Sequence, residues 1–416
     1  MAIHRRTLPG GMPLLIEPNA SAKSASLLWL IPVGAAHDPR GREGLSTVLC
    51  EMLLRGAGER DSRQHADALD ALGVLRSCSA GLTYVRLSAT ALGTNLLNAL
   101  PLLVDIVRRP RLEAQAFEPA RELALQTVAA LRDDPAGYAS LLLSERHVEQ
   151  PFNRRVVGTE EGLSALTDSD VRSAWFTKAT PASSILAIAG DCDPDAIERA
   201  LVPLLKGWEG STPEPRIEAN PERGSYHHEA DESNQVHILT AADAPKEADA
   251  ESNLHRLAAS VLSAGSASRL FSEVREKRGL CYSVSASYAG DKHSGRLTSY
   301  VGTTPQRAQQ SLDVLLSELE RIFSPAGLVT REEFDRAVVG MKSALIFSGE
   351  STSARAGALA TDQHRLGKPR TLDEFARAID AITLDDLNAY LARVHAKGKQ
   401  PRTIVTLGPS PLAVMA

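Results

Sequence analysis

The stretch LTDSDVRSAWFTKATPASSILAIAG, residues 166–190, recurs in the second half of the chain as ITLDDLNAYLARVHAKGKQPRTIVTLG, residues 382–408. Each copy predicts a helix capped by threonine, then a loop and an apolar strand that ends in glycine. Asp170 corresponds to Asp386, an offset of 216 residues. A repeat of this length indicates a duplicated fold rather than two unrelated halves.

A second pair of segments supports the duplication. FEPARELALQTVAALRDDPAGYASLLL begins at Phe117 and FDRAVVGMKSALIFSGESTSARAGALA begins at Phe334, an offset of 217 residues. Both predict a long helix followed by a helix rich in alanine and leucine. The two offsets agree within one residue and are close to half of the 416 residues. We therefore predict an α+β fold of two homologous domains, each a mostly antiparallel sheet packed with helices.

The boundary between the domains is a polar stretch, GSTPEPRIEANPERGSYHHEADE, which runs from Gly210 to Glu232. It is rich in proline, glycine and glutamate, as extended linkers are. We predict a first domain over residues 1–208, a linker over 209–232 and a second domain over 233–416. Each domain then has enough residues for a sizeable core.

Within each half, the hydrophobic pattern mixes strands and helices without a strict βαβ rhythm, which favours an α+β layer. The predicted strands cover residues 25–33, 83–92, 235–240 and 281–289, and the predicted helices cover 43–55 and 250–278.

Composition excludes several classes of protein. The chain has 46 Lys+Arg against 51 Asp+Glu, a net charge of −5, so nothing electrostatic indicates a nucleic-acid or anionic-membrane partner. The longest uncharged apolar stretch, 25–36, is too short to cross a bilayer and contains Pro32 and Gly34. The N-terminus MAIHRRTLPGG lacks the apolar region of a signal peptide. We expect a cytoplasmic protein, and a periplasmic location stays open.

Cysteine usage agrees with a reducing compartment. Cys50, Cys78, Cys192 and Cys281 are scattered singly, with no C-x-x-C pair. We interpret each as a small buried hydrophobe. Whether any two of them approach each other is open at the level of sequence.

Two motifs resemble those of a known family. GREGLSTVLCEMLLRGAGERDSRQHADALDALG, residues 41–73, is similar to the zinc-motif region of the pitrilysin/insulinase metallopeptidases, which reads roughly G-L-A-H-F-L-E-H-M. SAGSASRLFSEVREKRGLCYSVSASY, residues 263–288, closely resembles the family's S-R-L-F…R-E-K-R-G-L-A-Y-S-V. Mitochondrial processing peptidases and the core proteins of respiratory complexes share these features. With the duplicated halves, the resemblance covers essentially the whole chain.

The zinc motif itself is degenerate. In an H-x-x-E-H helix the two histidines lie on one face and bind zinc, while the glutamate acts as general base. The matching positions here are Thr47, Cys50 and Glu51, and the family's third ligand falls at Gln126 or Thr127. Threonine is not a normal zinc ligand, and cysteine cannot replace a carboxylate base. We therefore predict no metal or other cofactor in this chain.

Other catalytic motifs are missing from the sequence. It contains no H-E-x-x-H, no G-x-S-x-G nucleophile elbow and no P-loop motif. The run of residues 227–229, His-His-Glu, lies at the end of the predicted linker, where a solvated or strand-edge role is expected.

The second motif is intact. In the family, an arginine and a tyrosine of the C-terminal domain face the zinc site and hydrogen-bond the substrate backbone and the tetrahedral intermediate. They match Arg275 and Tyr282, whose guanidinium and phenol are suitable donors. Taken alone, such an arginine is usually a solvated helix end and such a tyrosine is packing. The resemblance favours a functional role for both, whereas Arg269 and Arg278 are expected to be structural or surface charges.

The resemblance implies a function that depends on a partner. We expect the arginine/tyrosine-bearing subunit of a heterodimeric zinc endopeptidase, inactive alone, whose homologous partner carries the zinc and whose substrate is a peptide. A non-catalytic scaffold in a multiprotein assembly is the first alternative. An autonomous peptidase with an unrecognised site is the second.

Overall fold

A computed structural model describes residues 2–398 and 400–414, which form two compact units. The N-terminal unit comprises the chain up to Ala130, Glu149–Glu218 and Ser348–Thr371. The C-terminal unit comprises Leu131–Val148, Ala219–Phe347 and the chain from Leu372 onward. Each unit is built around one sheet.

The sheet of the N-terminal unit has six strands in the order β1-β2-β6-β3-β5-β4. Neighbouring strands are antiparallel except β2 and β6, which are parallel. In chain order the strands are β1 His4–Leu8, β2 Met12–Pro18, β3 Ser24–Ile31, β4 Leu75–Ala80, β5 Val85–Leu92 and β6 Ile185–Gly190.

The sheet of the C-terminal unit has five strands in the order β7-β11-β8-β10-β9, with β7 and β11 parallel and the other pairs antiparallel. They are β7 Tyr226–Ala230, β8 Val236–Ala244, β9 Cys281–Gly290, β10 Gly295–Thr303 and β11 Arg402–Gly408. Apart from β1, the two sheets have the same order and the same strand directions. The predicted α+β fold with two homologous, mostly antiparallel sheets is therefore confirmed.

The helices follow the same duplication. The repeated helices begin with matching capping boxes, Thr167 with Asp170 and Thr383 with Asp386. The first half contains α1 Leu45–Leu53, α2 Ser62–Asp70, α3 Gly93–Arg108, α4 Phe117–Ala129, α5 Pro135–His147, α6 Glu160–Ser164, α7 Asp168–Lys178 and α8 Pro194–Leu205. The second half contains α9 Ser252–Ser263, α10 Ala308–Arg321, α11 Arg331–Gly349, α12 Thr352–Leu366, α13 Leu372–Asp380 and α14 Leu384–Ala396.

Each unit includes one helix from the other half of the chain. In the N-terminal unit, α12 packs on β2, β3 and β6 and contributes Leu359 to a buried cluster with Leu28. In the C-terminal unit, α5 packs on β8 and β11 and contributes Leu142 to a cluster with Leu239. The units are thus not continuous, whereas the predicted domains 1–208 and 233–416 are. Burial of the second face of each sheet, which a linear pattern does not encode, accounts for the difference.

The predicted linker, 209–232, contains a strand where the sequence indicated a solvated or strand-edge role for residues 227–229. Its residues 226–230 form β7, which pairs with β11 at the edge of the sheet. His228 Nδ1 lies 3.0 Å from Thr406 Oγ1, within hydrogen-bonding distance. The strand is polar because an edge strand is only partly buried, so its composition resembles that of a loop.

The other predicted elements are present with shifted ends, and one divides. The helix predicted over 250–278 is interrupted at Gly265, whose φ of 80° is left-handed. It gives α9 and then a π-helical turn at Phe271–Glu276 just before β9. Across residues 2–398 and 400–414, no helix combines the length and apolarity needed to cross a membrane.

Candidate functional site

The helix α1, which carries the degenerate zinc motif, is anchored at its first turn. Gly44 precedes it with a φ of 107°, a conformation that favours glycine. The backbone N–H groups of Gly44 and Ser46 donate to the Asp38 carboxyl group at 3.0 and 3.2 Å. Burial raises the pKa of Asp38 to about 7, although these two hydrogen bonds oppose the shift. Asp38 therefore caps α1 from a buried position.

The first of the three motif positions on α1, Thr47, is committed to a hydrogen bond within the fold. The Thr47 hydroxyl donates to the Val156 carbonyl oxygen at 2.6 Å, which ties α1 to a neighbouring loop. Glu51 is half-buried, while Gln126 and Thr127 are exposed on α4. The Thr127 hydroxyl donates to the Leu123 carbonyl of its own helix at 2.9 Å. These side chains do not form a ligand set for zinc.

Cys50, at the position of the general base, contacts a second cysteine. It is buried, and its thiol is in hydrogen-bonding contact with the thiol of Cys78 on β4. That contact and burial raise the pKa of Cys50 well above its ordinary value. Cys50 is therefore a neutral thiol at neutral pH, unsuited to act as a base or as a nucleophile. The sequence left this proximity open.

The rest of the chain that the structure describes offers no metal site either. Within residues 2–398 and 400–414, no group of three or more His, Cys, Asp or Glu side chains could hold a metal ion. His227 and His228 lie on the edge strand β7, where His228 pairs with Thr406. The residues present therefore do not fit the zinc that the resemblance associates with α1.

Arg275 and Tyr282 are brought together by the π-helical turn. The Arg275 guanidinium carbon lies 4.8 Å from the centre of the Phe271 ring and 5.3 Å from the centre of the Tyr282 ring. Both distances are within the range of cation–π attraction. The chain turns between them at Gly279, whose φ is 58°. Residues seven apart in sequence thus form one contiguous surface.

The donors of this pair are open to a ligand. Tyr282 is 85% exposed, and Arg275 is exposed as well. In the part of the chain that the structure describes, neither the Tyr282 hydroxyl nor the Arg275 guanidinium makes a hydrogen bond. An exposed tyrosine held by a cation rather than by the core is an arrangement suited to binding.

The neighbouring arginines have structural partners. Arg269 is buried and makes two hydrogen bonds with Glu333, both at 2.7 Å, and one with the Gly327 carbonyl at 2.8 Å. Arg278 donates to the side chain of Glu273 at 2.6 Å. These contacts fix the start and the end of the segment that presents Arg275.

Each sheet also has a corresponding edge strand beside these motifs. The edges are β4 in the N-terminal sheet and β9 in the C-terminal sheet. Tyr282 lies at the start of β9, and the exposed side chains that follow it are small, Ser283, Ser285 and Ser287. A sheet edge with small side chains can pair with an extended peptide through its main chain.

Comparison with known proteins agrees with these features. A family model described as Insulinase (Peptidase family M16) matches residues 14–160, and one described as Peptidase M16 inactive domain matches residues 165–341. The chain belongs to the pitrilysin/insulinase (M16) family. The family predicted from the two motifs is thereby confirmed, and the inactive-domain match fits a non-catalytic M16 subunit.

M16 relatives extend over nearly the whole chain. An uncharacterized zinc protease of Mycobacterium tuberculosis is 28% identical over 403 residues, covering 94% of this chain and 90% of the relative. An uncharacterized zinc protease of Bacillus subtilis is 24% identical over 396 residues, covering 94% of this chain and 95% of the relative.

Solved structures share the fold at low identity. An M16 inactive domain from Pseudomonas fluorescens has a TM-score of 0.85 at 20% identity and covers 100% of this chain and 99% of its own. A protease from Helicobacter pylori has a TM-score of 0.85 at 16% identity, with 99% and 100% covered. A chain of Complex III2 from Candida albicans has a TM-score of 0.82 at 19% identity, with 98% and 96% covered.

Proposed function

We propose that this chain is the non-zinc subunit of a heterodimeric M16 endopeptidase, in which Arg275 and Tyr282 position a peptide for cleavage by a homologous partner. The partner would carry the intact zinc motif and supply the metal chemistry. This chain would supply hydrogen-bond donors and a binding surface, and would be inactive alone.

The observation that carries the proposal is the asymmetry between the two motifs. At the zinc-motif positions, Thr47 bonds the backbone and Cys50 is a buried neutral thiol. At the second motif, Arg275 and Tyr282 stay adjacent and exposed. An exposed aromatic side chain without a packing role offers apolar surface to a ligand.

The chemistry of the pair suits a peptide under attack. A guanidinium and a phenol are both donors, so they can bind carbonyl oxygens and an oxygen that gains negative charge. Because Arg275 lies against the Tyr282 ring, its positive charge lowers the cost of placing an anionic oxygen near the phenol. The edge strand β9 would add main-chain hydrogen bonds to an extended peptide.

A scaffold role is the second candidate. The structural likeness to a chain of Complex III2 favours it, because that chain belongs to a multisubunit assembly. Under this alternative, the exposed surface around Tyr282 would contact a neighbouring subunit. The third candidate is an autonomous peptidase, and the relatives named as zinc proteases favour it.

The test is a peptidase assay on a library of fluorogenic peptides, with this chain alone and mixed with zinc-motif homologues from the same source. The variants are Arg275→Ala and Tyr282→Phe. Arg336→Ala is the matched control, because Arg336 is an exposed arginine on α11 that forms an ion pair with Glu332.

Activity only in a mixture, lost in the two motif variants and kept in the control, would support the proposal. A stable complex without activity in any mixture would favour the scaffold. Chelator-sensitive cleavage by this chain alone would identify an autonomous peptidase and contradict the proposal.

A further inference from the structure

The chain turns between Arg275 and Tyr282 at two residues, Gly279 and Leu280, whose backbone polar groups all have partners. The Gly279 N–H donates to the Arg275 carbonyl oxygen at 3.0 Å. The Leu280 N–H donates to the Val274 carbonyl oxygen, also at 3.0 Å. Both acceptors belong to the π-helical turn. The two N–H groups thus tie the connection to the element that carries Arg275.

The two carbonyl groups of the same connection are held from the other side. The hydroxyl of Thr303, at the end of β10, donates to the Leu280 carbonyl oxygen at 2.6 Å. Arg307, just before α10, donates to the Gly279 carbonyl oxygen. Thr303 is buried, and its Oγ1 lies 3.1 Å from the Oγ of Ser311 on α10. The Thr303 hydroxyl is therefore fixed by the core, whereas Arg307 is exposed.

Thr303 also lies at an irregularity in the pairing of β9 with β10. Gly302 lies opposite Ser283, and the next residue, Thr303, lies opposite Cys281. Tyr282 is therefore an extra residue without a partner on β10. Such a β-bulge bends the strand and re-aims a side chain. The edge hairpin of β4 and β5 keeps a single register, so of the two edge hairpins only the one with the motif tyrosine has the bulge.

The contact between Arg275 and Tyr282 depends on this backbone geometry. The guanidinium carbon lies 5.3 Å from the centre of the tyrosine ring, and cation–π attraction requires a distance within about 6 Å. Because both side chains are exposed, the surrounding packing contributes little to holding them together. The hydrogen bond that fixes the Leu280 carbonyl therefore acts on the pair through the backbone.

We propose that Thr303 is a positioning residue for Arg275 and Tyr282, because its hydroxyl holds the Leu280 carbonyl and with it the connection and the bulge. The geometric part of this inference concerns the chain alone, and its catalytic part rests on the proposed function. Without the hydroxyl, the connection relaxes and the two donors move from the place where the oxyanion forms. A displacement of about 1 Å can cost about 10²-fold in rate.

The geometric part is tested by ¹⁹F NMR of the full chain labelled with 3-fluorotyrosine. The chain has seven tyrosines, and the resonance of Tyr282 is the one missing from Tyr282→Phe. Arg275→Ala shifts this resonance because it removes the adjacent charge. We expect Thr303→Val to move it towards its position in Arg275→Ala, and Thr303→Ser to leave it in place. Thr240→Val is the matched control, since it removes another buried hydroxyl of the same sheet, bonded to Ser299.

The catalytic part is tested in an active mixture with a zinc-motif homologue. We expect Thr303→Val to lower kcat about tenfold and to change KM less than about twofold, because the donors act in the transition state. Thr303→Ser keeps kcat, and Thr240→Val does not change it. In a Tyr282→Phe background, Thr303→Val has a much smaller effect on kcat, because the group that it positions is already missing.

Circular dichroism and thermal unfolding establish that each variant is folded. If Thr303→Val does not fold, Thr303→Ala replaces it, because the smaller side chain leaves room for water at the Leu280 carbonyl. An unshifted Tyr282 resonance in a folded variant overturns the proposal. A loss of kcat that is equally large in the Tyr282→Phe background also overturns it, since the effect would then be a general structural one. Absence of activity in every mixture contradicts the proposed function instead, and the resonance of the chain alone still decides the positioning role.

Discussion

The two units differ in how they present their two sequence motifs. In the N-terminal unit, α1 and β4 meet through the thiols of Cys50, which is buried, and Cys78, which is half-buried. In the C-terminal unit, the π-helical turn and β9 meet through Arg275 and Tyr282, which are exposed. The two sheets have the same strand order apart from β1. However, the cysteine contact of the zinc motif lies in the interior, whereas the hydrogen-bond donors of Arg275 and Tyr282 are exposed. The two units thus share a scaffold and differ in the side chains that they expose.

The largest expected effect is on catalysis by an assembled complex. Arg275→Ala and Tyr282→Phe each lower kcat/KM by about 10²–10³, since each removes a donor to the developing oxyanion. Thermal stability stays unchanged, because both side chains are exposed. Steady-state kinetics with thermal unfolding of the same variants checks this. If the variants lost activity because they had lost stability, Arg275 and Tyr282 would be structural residues, and the contrast with the zinc motif would fail.

The arginine at the start of the exposed segment should matter for stability instead. Arg269→Ala removes the two hydrogen bonds that Arg269 donates to the Glu333 carboxylate, which costs about 3 kcal/mol in the free energy of unfolding. Arg278→Ala, whose partner Glu273 also bonds Lys277, costs less than about 1 kcal/mol. Denaturant unfolding of the two variants measures both. Equal losses would contradict the structural role assigned to Arg269.

A comparable effect should appear with pH at the core of the C-terminal unit. Burial lowers the pKa of His255 to about 4, and its Nδ1 lies 2.7 Å from the Tyr390 hydroxyl oxygen. Because the folded pKa lies below the unfolded value of about 6.5, stability is full above pH 6.5 and falls as the pH drops towards 4. The loss approaches about 3 kcal/mol.

Urea unfolding between pH 4 and 7 measures this dependence, with His255→Phe as the reference without the titrating group. The difference between the two proteins should depend on pH only below about 6.5. A difference that is constant with pH would show that His255 protonates equally well in both states.

The smallest expected effect concerns the degenerate zinc motif on α1. Thr47→Val removes the hydrogen bond to the Val156 carbonyl, which costs about 1 kcal/mol of stability, and leaves activity in a complex unchanged. Unfolding and peptidase assays on the same preparation check both parts. A large loss of activity without a loss of stability would assign Thr47 a role that its packing does not explain.

The sequence predicted the duplicated architecture because the repeated caps and strands are local patterns, as with Thr167 and Thr383. It did not predict that α5 and α12 cover sheets of the other half, since that choice depends on which face remains to be buried. The strand β7 was assigned to the linker because a polar edge strand has the composition of a linker.

The candidate site, like the fold, could be predicted only in part from the sequence. Arg275 and Tyr282 were predicted from the resemblance of residues 263–288 to the family's second motif, but their stacking depends on the π-helical turn, which has no distinct sequence signal. The contact between Cys50 and Cys78 joins a helix to a strand 28 residues later in the chain, and only the fold brings them together.

The most direct test of the central claim is the zinc content of this chain, purified alone, incubated with zinc and desalted, then assayed with and without a zinc-motif partner. The account predicts far less than one zinc per chain and no cleavage alone, with cleavage in the complex lost in Arg275→Ala. One zinc per chain together with chelator-sensitive cleavage by the isolated chain would contradict it.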